Sequence, residues 1–403
     1  MDRAVPALLA ALLVVASAGS VVGVSPPDSD ATAARTPVES ISANTSDVLV
    51  LDTIGASTFD RADLVVTAAL DAQTGALENA FARYRVAAAV EAADSPAAKR
   101  TVLQNASRWA RERTAALLSA ERTARQRYLA GDTTAAEYLT ELGRLHRRAS
   151  AVETTVNAID DLEEENGFDA QVDRLLPDLH TLQGPIRAAL ADAVAGEGVS
   201  GRTFVAVSGN GVVLAQIRDG TYVRETMRLD NRDDAIGQMT FDQAETRFNE
   251  LYPWASSVKQ RISMGALGPD TFVVEFTHTH GTIDATLDAS TRQIFREIQT
   301  KRLAETPADP MLLTTDNETR VVVSRAYAGG PLKINVTDTN GTALDAAVSV
   351  NGTTVGRTGE DGIRWTISPA GTYDVVVDGP YGQVSMQVTA TDPSDRTPTT
   401  TLG

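Results

Sequence analysis

The sequence predicts a multidomain protein of mixed α and β structure: an N-terminal antiparallel helical bundle or coiled coil, a central α+β domain and a C-terminal all-β sandwich. Three observations carry this. Apolar residues recur at steps of three and four over most of residues 47–195. Alternating runs broken by Gly-Asn-Gly and Asp-Gly turns then surround a helical segment, and the last ninety residues consist of short alternating runs with frequent Asn-Gly and Asp-Gly. A period near 3.6 marks an amphipathic helix and a period of two a half-buried strand.

The helical part is divided by its own punctuation. Leu70, Thr74, Leu77, Phe81, Tyr84 and Ala88 share one face of a first helix ending near Asp94. Ser95-Pro96 supplies an N-cap and first-turn proline for a second, along which Leu103, Ala110, Leu117 and Ala124 recur every seven residues. Gly131 suits a left-handed C-cap, and Thr134 with Glu137 has capping-box spacing for a third helix. Tyr138, Leu142, Leu145, Ala149, Val152, Val156, Ile159 and Leu162 form its seam, which stops at Asn166-Gly167. A shorter segment from about Asp173 to Ala195 is interrupted by Gly184-Pro185. Short connections between long helices favour antiparallel neighbours.

Charge distinguishes Ser95 to Leu129, with eight basic residues against Glu112 and Glu121, from Asp132 to Asn166, with nine acidic residues against Arg144, Arg147 and Arg148. The former could serve an anionic polymer, and Asp160, Asp161, Glu163, Glu164 and Glu165 a divalent cation. Inter-helix ion pairing with a solvated face is the plainer expectation, because consecutive carboxylates on a helix point in different directions and no calcium-loop spacing occurs.

In the central part, 203–207, 212–217 and 222–229 read as a three-stranded meander. Thr240 and Gln243 then cap a helix through Tyr252, halted by Pro253, and strands follow at 271–277, 282–287 and 293–298. The last domain shows strands at 320–325, 332–336, 347–350, 363–367, 373–377 and 383–388.

Two local patterns resemble known families. Phe241-Asp-Gln-Ala-Glu, Phe272-Val-Val-Glu-Phe and Ile283-Asp-Ala-Thr-Leu-Asp-Ala-Ser-Thr-Arg-Gln-Ile-Phe resemble a PepSY-type module, with Arg292 where that pattern carries glycine. The resemblance implies an extracytoplasmic module associated with peptidases or the cell envelope, with no catalytic residues of its own. Gly356-Arg-Thr-Gly-Glu-Asp-Gly362 followed by Pro-Ala-Gly-Thr-Tyr373 resembles carboxypeptidase-regulatory-like and immunoglobulin-like sandwiches, which implies a spacer or adhesive role. The wider arrangement, with Tyr222-Val-Arg-Glu-Thr and Leu251-Tyr-Pro-Trp, is similar to uncharacterised haloarchaeal exported proteins. The expected organisation is 1–24 signal peptide or N-terminal anchor, 25–46 polar linker, 47–198 bundle, 199–303 PepSY-like domain, 304–318 linker, 319–391 sandwich and 392–403 disordered tail.

Composition narrows the setting. The apolar run Val5–Val24 has both the small residues read by signal peptidase, at Ala16 to Ala18, and the roughly 20 residues that span a bilayer, so cleavage and anchoring both remain open. There is no cysteine, hence neither disulfide nor lipobox attachment. A net charge of −17 argues against nucleic acid as a partner. Arg greatly outnumbers Lys and carboxylates dominate, a balance resembling haloarchaeal proteins, whose surfaces must stay soluble where the Debye length is about 3 Å or less. N-glycosylation sequons occur at Asn44, Asn105, Asn317, Asn335, Asn340 and Asn351.

Candidates for chemistry are few. The chain has no thiol nucleophile, Gly-x-Ser-x-Gly elbow, His-Glu-x-x-His or Walker loop. His278 and His280, two apart on a strand, could share a metal if Glu275 or Asp284 contributed, but exposed strand or turn histidines are the plainer expectation. His146 and His180 read as surface or boundary residues, and Trp109, Trp254 and Trp365 as one core anchor per region. The expected role is non-catalytic, without cofactor: a cell-envelope protein that binds a surface protein or glycan, with oligomerisation through the helices. Regulation of an extracellular peptidase is the alternative, and a metal-dependent hydrolase the third reading.

Overall fold

The computed structural model describes residues 47–391, apart from 63–65, 200, 234, 236, 309, 317 and 325. The N-terminal apolar run, the polar linker, the tail and two sequons, Asn44 and Asn317, lie outside the described residues. Among the described residues no helix is long and apolar enough to cross a membrane.

Strand β1 (Ala56–Asp60) precedes three long helices, α1 (Val66–Glu91), α2 (Pro96–Ala130) and α3 (Ala135–Glu165), and two short ones, α4 (Leu176–Thr181) and α5 (Pro185–Ala195). Their ends are set by local chemistry. Ser95 accepts from the Ala98 amide at the start of α2, Gly131 closes it at φ 78°, and Thr134 with Glu137 forms a reciprocal capping box on α3. The seam of α3 from Tyr138 to Ile159 is buried, with Leu162 half-exposed at its end. The expected face of α1 is not buried: Leu77, Phe81 and Tyr84 lie open to solvent, while Val86 and Val90 turn inward.

The central sheet has eight antiparallel strands. β2 (Thr203–Val207), β3 (Gly211–Arg218) and β4 (Thr221–Arg228) form the meander, followed by α6 (Phe241–Leu251), α7 (Pro253–Val258), β5 (Arg261–Ala266), β6 (Thr271–His278), β7 (Gly281–Asp288) and β8 (Gln293–Arg302). The order is β1-β2-β3-β4-β8-β7-β6-β5. β1 pairs with β2 in register Ala56↔Val207 to Asp60↔Thr203, so residues 56–60, expected within the bundle, belong to the sheet. The helices are thus inserted between two paired strands. Pro253, expected only to stop α6, also occupies the first turn of α7, where its missing N–H costs nothing.

The C-terminal sandwich packs β9 (Pro310–Asp316), β10 (Thr319–Ser324), β11 (Pro331–Asp338) and β14 (Ile363–Ile367), in the order β14-β11-β10-β9, against β12 (Ala347–Val350), β13 (Thr353–Arg357), β15 (Thr372–Gly379) and β16 (Gly382–Thr389), ordered β13-β12-β15-β16. β9 lies inside the segment 304–318 expected to be a linker and pairs with β10. Inward Val321, Val323, Ile334, Val336, Val348, Val375, Val377 and Val388 fill the space between the sheets.

Opposite faces of the central sheet hold the three parts together, because successive strand residues point to opposite sides. On one face, Tyr138, Leu142, Ile186 and Leu190 of the helices meet Val205, Val207, Leu214 and Met227. On the other, α6 and α7 cover β6 to β8 through Phe248, Tyr252 and Ala255 against Phe276, Ile283 and Ala285. Beside them the sandwich covers β2 to β4: Ile367 and Trp365 pack with Phe204, Ala206, Val213 and Tyr222.

Candidate functional site

The strands at the middle of the sheet, β4 and β8, carry an unusual load of buried charge: Arg224, Glu225, Arg296, Glu297 and Lys301. Thr226 lies opposite Glu297 and Glu225 opposite Ile298. Glu225 and Glu297 therefore project from opposite faces, which separates them into two sites.

On the face shared with α6 and α7, the Arg224 guanidinium reaches Glu297 Oε1 at 3.1 Å, both side chains almost fully buried. Glu297 Oε2 accepts from Tyr252 Oη at 2.7 Å and from the Leu49 amide at 2.8 Å, and Arg224 donates to the Leu49 carbonyl at 2.7 Å. The Gln299 amide likewise holds the Asp47 carbonyl at 2.6 Å, and Asp47 accepts from the Trp254 amide. Burial raises the Glu297 pKa, a cost that Arg224 and the two donors oppose. The group clamps the chain entering at Asp47 against the sheet.

On the bundle face, Glu225 accepts from the amides of Ile186 and Arg187 in the first turn of α5, where unpaired backbone donors and the helix dipole favour an anion. A Cβ at Gly184 would lie 2.4 Å from this carboxylate, so any side chain there would push Glu225 off the amides it accepts from. Burial raises the Glu225 pKa against the pull of Arg187 and Arg296. Nearby, Arg232 pairs with Asp178 of α4 at 2.8 Å, and Glu153 of α3 binds His180 at 3.1 Å and Gln183 at 2.8 Å. Glu153 is thereby held below the usual carboxylate range, first by His180.

The expected histidine pair sits at the β6–β7 hairpin but is not exposed. His278 is buried and His280 half-buried; Trp254 meets the His278 ring edge-on at 5.0 Å and stacks on His280 at 6.1 Å. The His280 amide donates to His278 Nδ1 at 3.2 Å. Burial, then Lys301, pushes His278 down to about 4. Among the described residues no three His, Cys, Asp or Glu side chains are arranged to hold a metal ion. Asp284 and Glu275 stand in adjacent strands without completing such a set. The tryptophans also differ from expectation: none is fully buried, and Trp365 serves the inter-domain contact more than the sandwich core.

Glu163, one of the carboxylates weighed as a cation ligand against the plainer expectation, is buried and committed to Ser107 Oγ at 2.6 Å and the Ala170 amide at 2.9 Å. Of the sequons, Asn340 lies exposed on a turn, Asn105 exposed on α2, and Asn335 half-buried in β11. Asn351 sits at φ 48° with its side-chain oxygen accepting from the Asp374 amide.

The sandwich, which docks through Tyr222 Oη on the Gly329 carbonyl at 2.7 Å, can now be compared with known domains. Residues 312–386 match an archaeal fibronectin-III type-like domain. Residues 203–307 match a family of unknown function (DUF7094), and 1–198 a domain of unknown function (DUF7096). The fibronectin-III-like match begins inside β9, in agreement with that strand's place in the sandwich. No curated protein and no solved structure matches the chain.

The buried network around β4 and β8 was missed from the sequence because its partners are far apart in the chain: Leu49 is 248 residues from Glu297. The only local signal was charge inside otherwise strand-like runs, at Arg224-Glu225 and Arg296-Glu297. A buried charge needs a partner, and that alone marks such positions.

Proposed function

We propose that the chain is a non-catalytic protein of the cell envelope, working outside the cytoplasm and binding a surface protein or glycan. The observation that carries this reading is that the strongly buried charges are joints: Glu297 and Arg224 fix the N-terminal segment and Tyr252, and Glu225 fixes α5. The two buried carboxylates face opposite sides of the sheet, Glu297 occupied at both oxygens and Glu225 at Oε1 by donors of the same chain, which suits a rigid display element more than an acid–base pair. The apolar start, the sequons and the fibronectin-III-like match support an exported setting. In situ cross-linking of the full chain on intact producing cells in molar salt, followed by mass spectrometry, tests it. A reproducible surface protein or glycan adduct and removal by external protease are expected; protection from protease with no adduct rejects the reading.

A second reading, a PepSY-like regulator of an extracellular peptidase, is favoured by one observation. The Asp288-to-Arg292 turn, on which the resemblance rests, forms a tight turn: Asp288 Oδ1 accepts from the Ser290 and Thr291 amides at 2.9 and 2.8 Å, and Arg292 takes φ 58° where that pattern has glycine. The full chain should then inhibit secreted protease activity from the same cells. Unchanged proteolysis at saturating protein dismisses it.

A further inference from the structure

Four sequons lie among the described residues, at Asn105, Asn335, Asn340 and Asn351, and the fold treats them differently. N-glycosylation joins a sugar to the asparagine side-chain nitrogen, and the hydroxyl two residues on must be reachable together with it. Asn105 is exposed on α2, but the hydroxyl of its triplet belongs to Ser107, which is fully buried and committed to the Leu103 carbonyl at 2.8 Å and to Glu163 at 2.6 Å. Asn335 lies in β11, paired with Val322 of β10 on one side and Ile363 of β14 on the other, and the middle residue of its triplet, Val336, is buried in the core of the sandwich. Asn351 is exposed, yet its side-chain oxygen accepts from the Asp374 amide at 3.0 Å while its own amide donates to the Asp374 carbonyl at 2.9 Å, which ties it to β15.

Asn340-Gly341-Thr342 differs from all three. Every residue of the triplet is exposed, none lies in a strand, and the turn is held through its backbone: Asp338 Oδ1 accepts from the Asn340 and Thr342 amides at 2.9 and 2.7 Å, and the Asp338 carbonyl accepts from the Gly341 amide at 3.1 Å. Its place in the molecule is also open. β11 starts next to Gly329, which receives Tyr222 at the joint with the central sheet, and its eight residues carry the chain about 24 Å to Asp338, so the turn stands at the end of the strand remote from that joint.

We propose that the folded chain carries an oligosaccharide on Asn340 and on none of the other three asparagines. The donor is an oligosaccharide joined through phosphate to a membrane lipid. The Asn340 side-chain nitrogen forms a bond to C1 of the sugar, the bond from C1 to the phosphate oxygen breaks, the lipid phosphate leaves with that electron pair, and the amide gives up one proton to a base of the transferring enzyme. The inference rests on the exported reading, because glycosylation of this kind belongs to surface loops of exported chains.

The test uses the full chain purified from the producing cells, with its peptides mapped by mass spectrometry and Asn44 and Asn317 left native throughout. The peptide holding Asn340 should carry a sugar mass. Asn340→Gln and Thr342→Ala should each abolish that mass shift, whereas Thr342→Ser, which retains the hydroxyl, should keep it. Both positions are exposed, so the circular dichroism should stay the same. The peptides holding Asn105, Asn335 and Asn351 should be bare. A sugar on any of these three overturns the proposal, since it means that the acceptor is read before the chain folds. A sugar that survives Thr342→Ala overturns it too. So does an unmodified Asn340, and external protease then separates this failure from that of the exported reading: removal of the chain from intact cells leaves that reading standing, while protection ends both.

Discussion

Arg292 shows how one residue can carry a local conflict. Its φ of 58° lies in the left-handed region, where a Cβ costs roughly 1 kcal/mol or more and glycine costs little. The conformation persists because Asp288 holds the turn from the other side and the Arg292 carbonyl accepts from Arg247 at 2.9 Å. Arg292→Gly should therefore raise stability by about 0.5–1 kcal/mol in urea titration, with no change in slope. Two histidines give the molecule an acid limit. Burial followed by Arg187 pushes His146 down to about 4, and burial followed by Lys301 does the same for His278. Each is neutral in the fold and takes up a proton on unfolding below about pH 6.5, so its contribution is complete above that pH and is lost as pH falls toward 4. Glu225 and Glu297, whose pKa values are raised, run in the opposite sense. Melting temperature should fall between pH 6.5 and 4, and His146→Gln/His278→Gln should flatten that fall; an unaltered slope would remove the histidines as its cause.

At the level of elements, the helix ends were legible because each is decided by residues within a turn of it. Ser95, Gly131, Thr134 with Glu137, and Thr240 with Gln243 all cap as their spacing implies. Thr134→Ala should accordingly cost about 1 kcal/mol, read as a shift of the unfolding midpoint. β1, β5 and β9 were not legible. They are short edge strands whose pairing partners, rather than their own patterns, make them strands. The seam of α1 was legible as a pattern, but its exposure was not, since periodicity reports that a face is apolar and not what covers it. Between β4 and β8 the Arg224–Glu297 pair was hidden for the reason common to buried charges: each residue looks like surface until the other is placed. Glu297→Gln keeps acceptors for Tyr252 and Leu49 but leaves Arg224 buried without its counter-charge. It should cost about 3–5 kcal/mol, whereas Arg224→Met/Glu297→Met together should recover most of that loss.

For the whole molecule, the distinctive feature is that the central sheet serves as the common wall of three cores. The bundle rests on one face, and the fibronectin-III-like domain and the α6–α7 layer share the other. Gly329 marks the joint to the fibronectin-III-like domain: it takes φ 77°, and a Cβ there would lie 2.8 Å from the Phe204 ring. Gly329→Ala should split one cooperative calorimetric transition into two by loosening that joint, with each domain retaining its own secondary structure. By itself the sequence determined the three-part division, the caps and turns, the strand alternation of the sandwich and the acidic, cysteine-free surface, because all of these depend on neighbours in the chain or on composition. The tertiary structure alone decided that the helices are inserted between two paired strands, that β9 joins the sandwich and that the histidine pair is packed beneath Trp254. It also decided which charges become joints. Those outcomes depend on contacts across tens to hundreds of residues, where a residue's role is set by what the fold brings against it and not by what stands beside it in the chain.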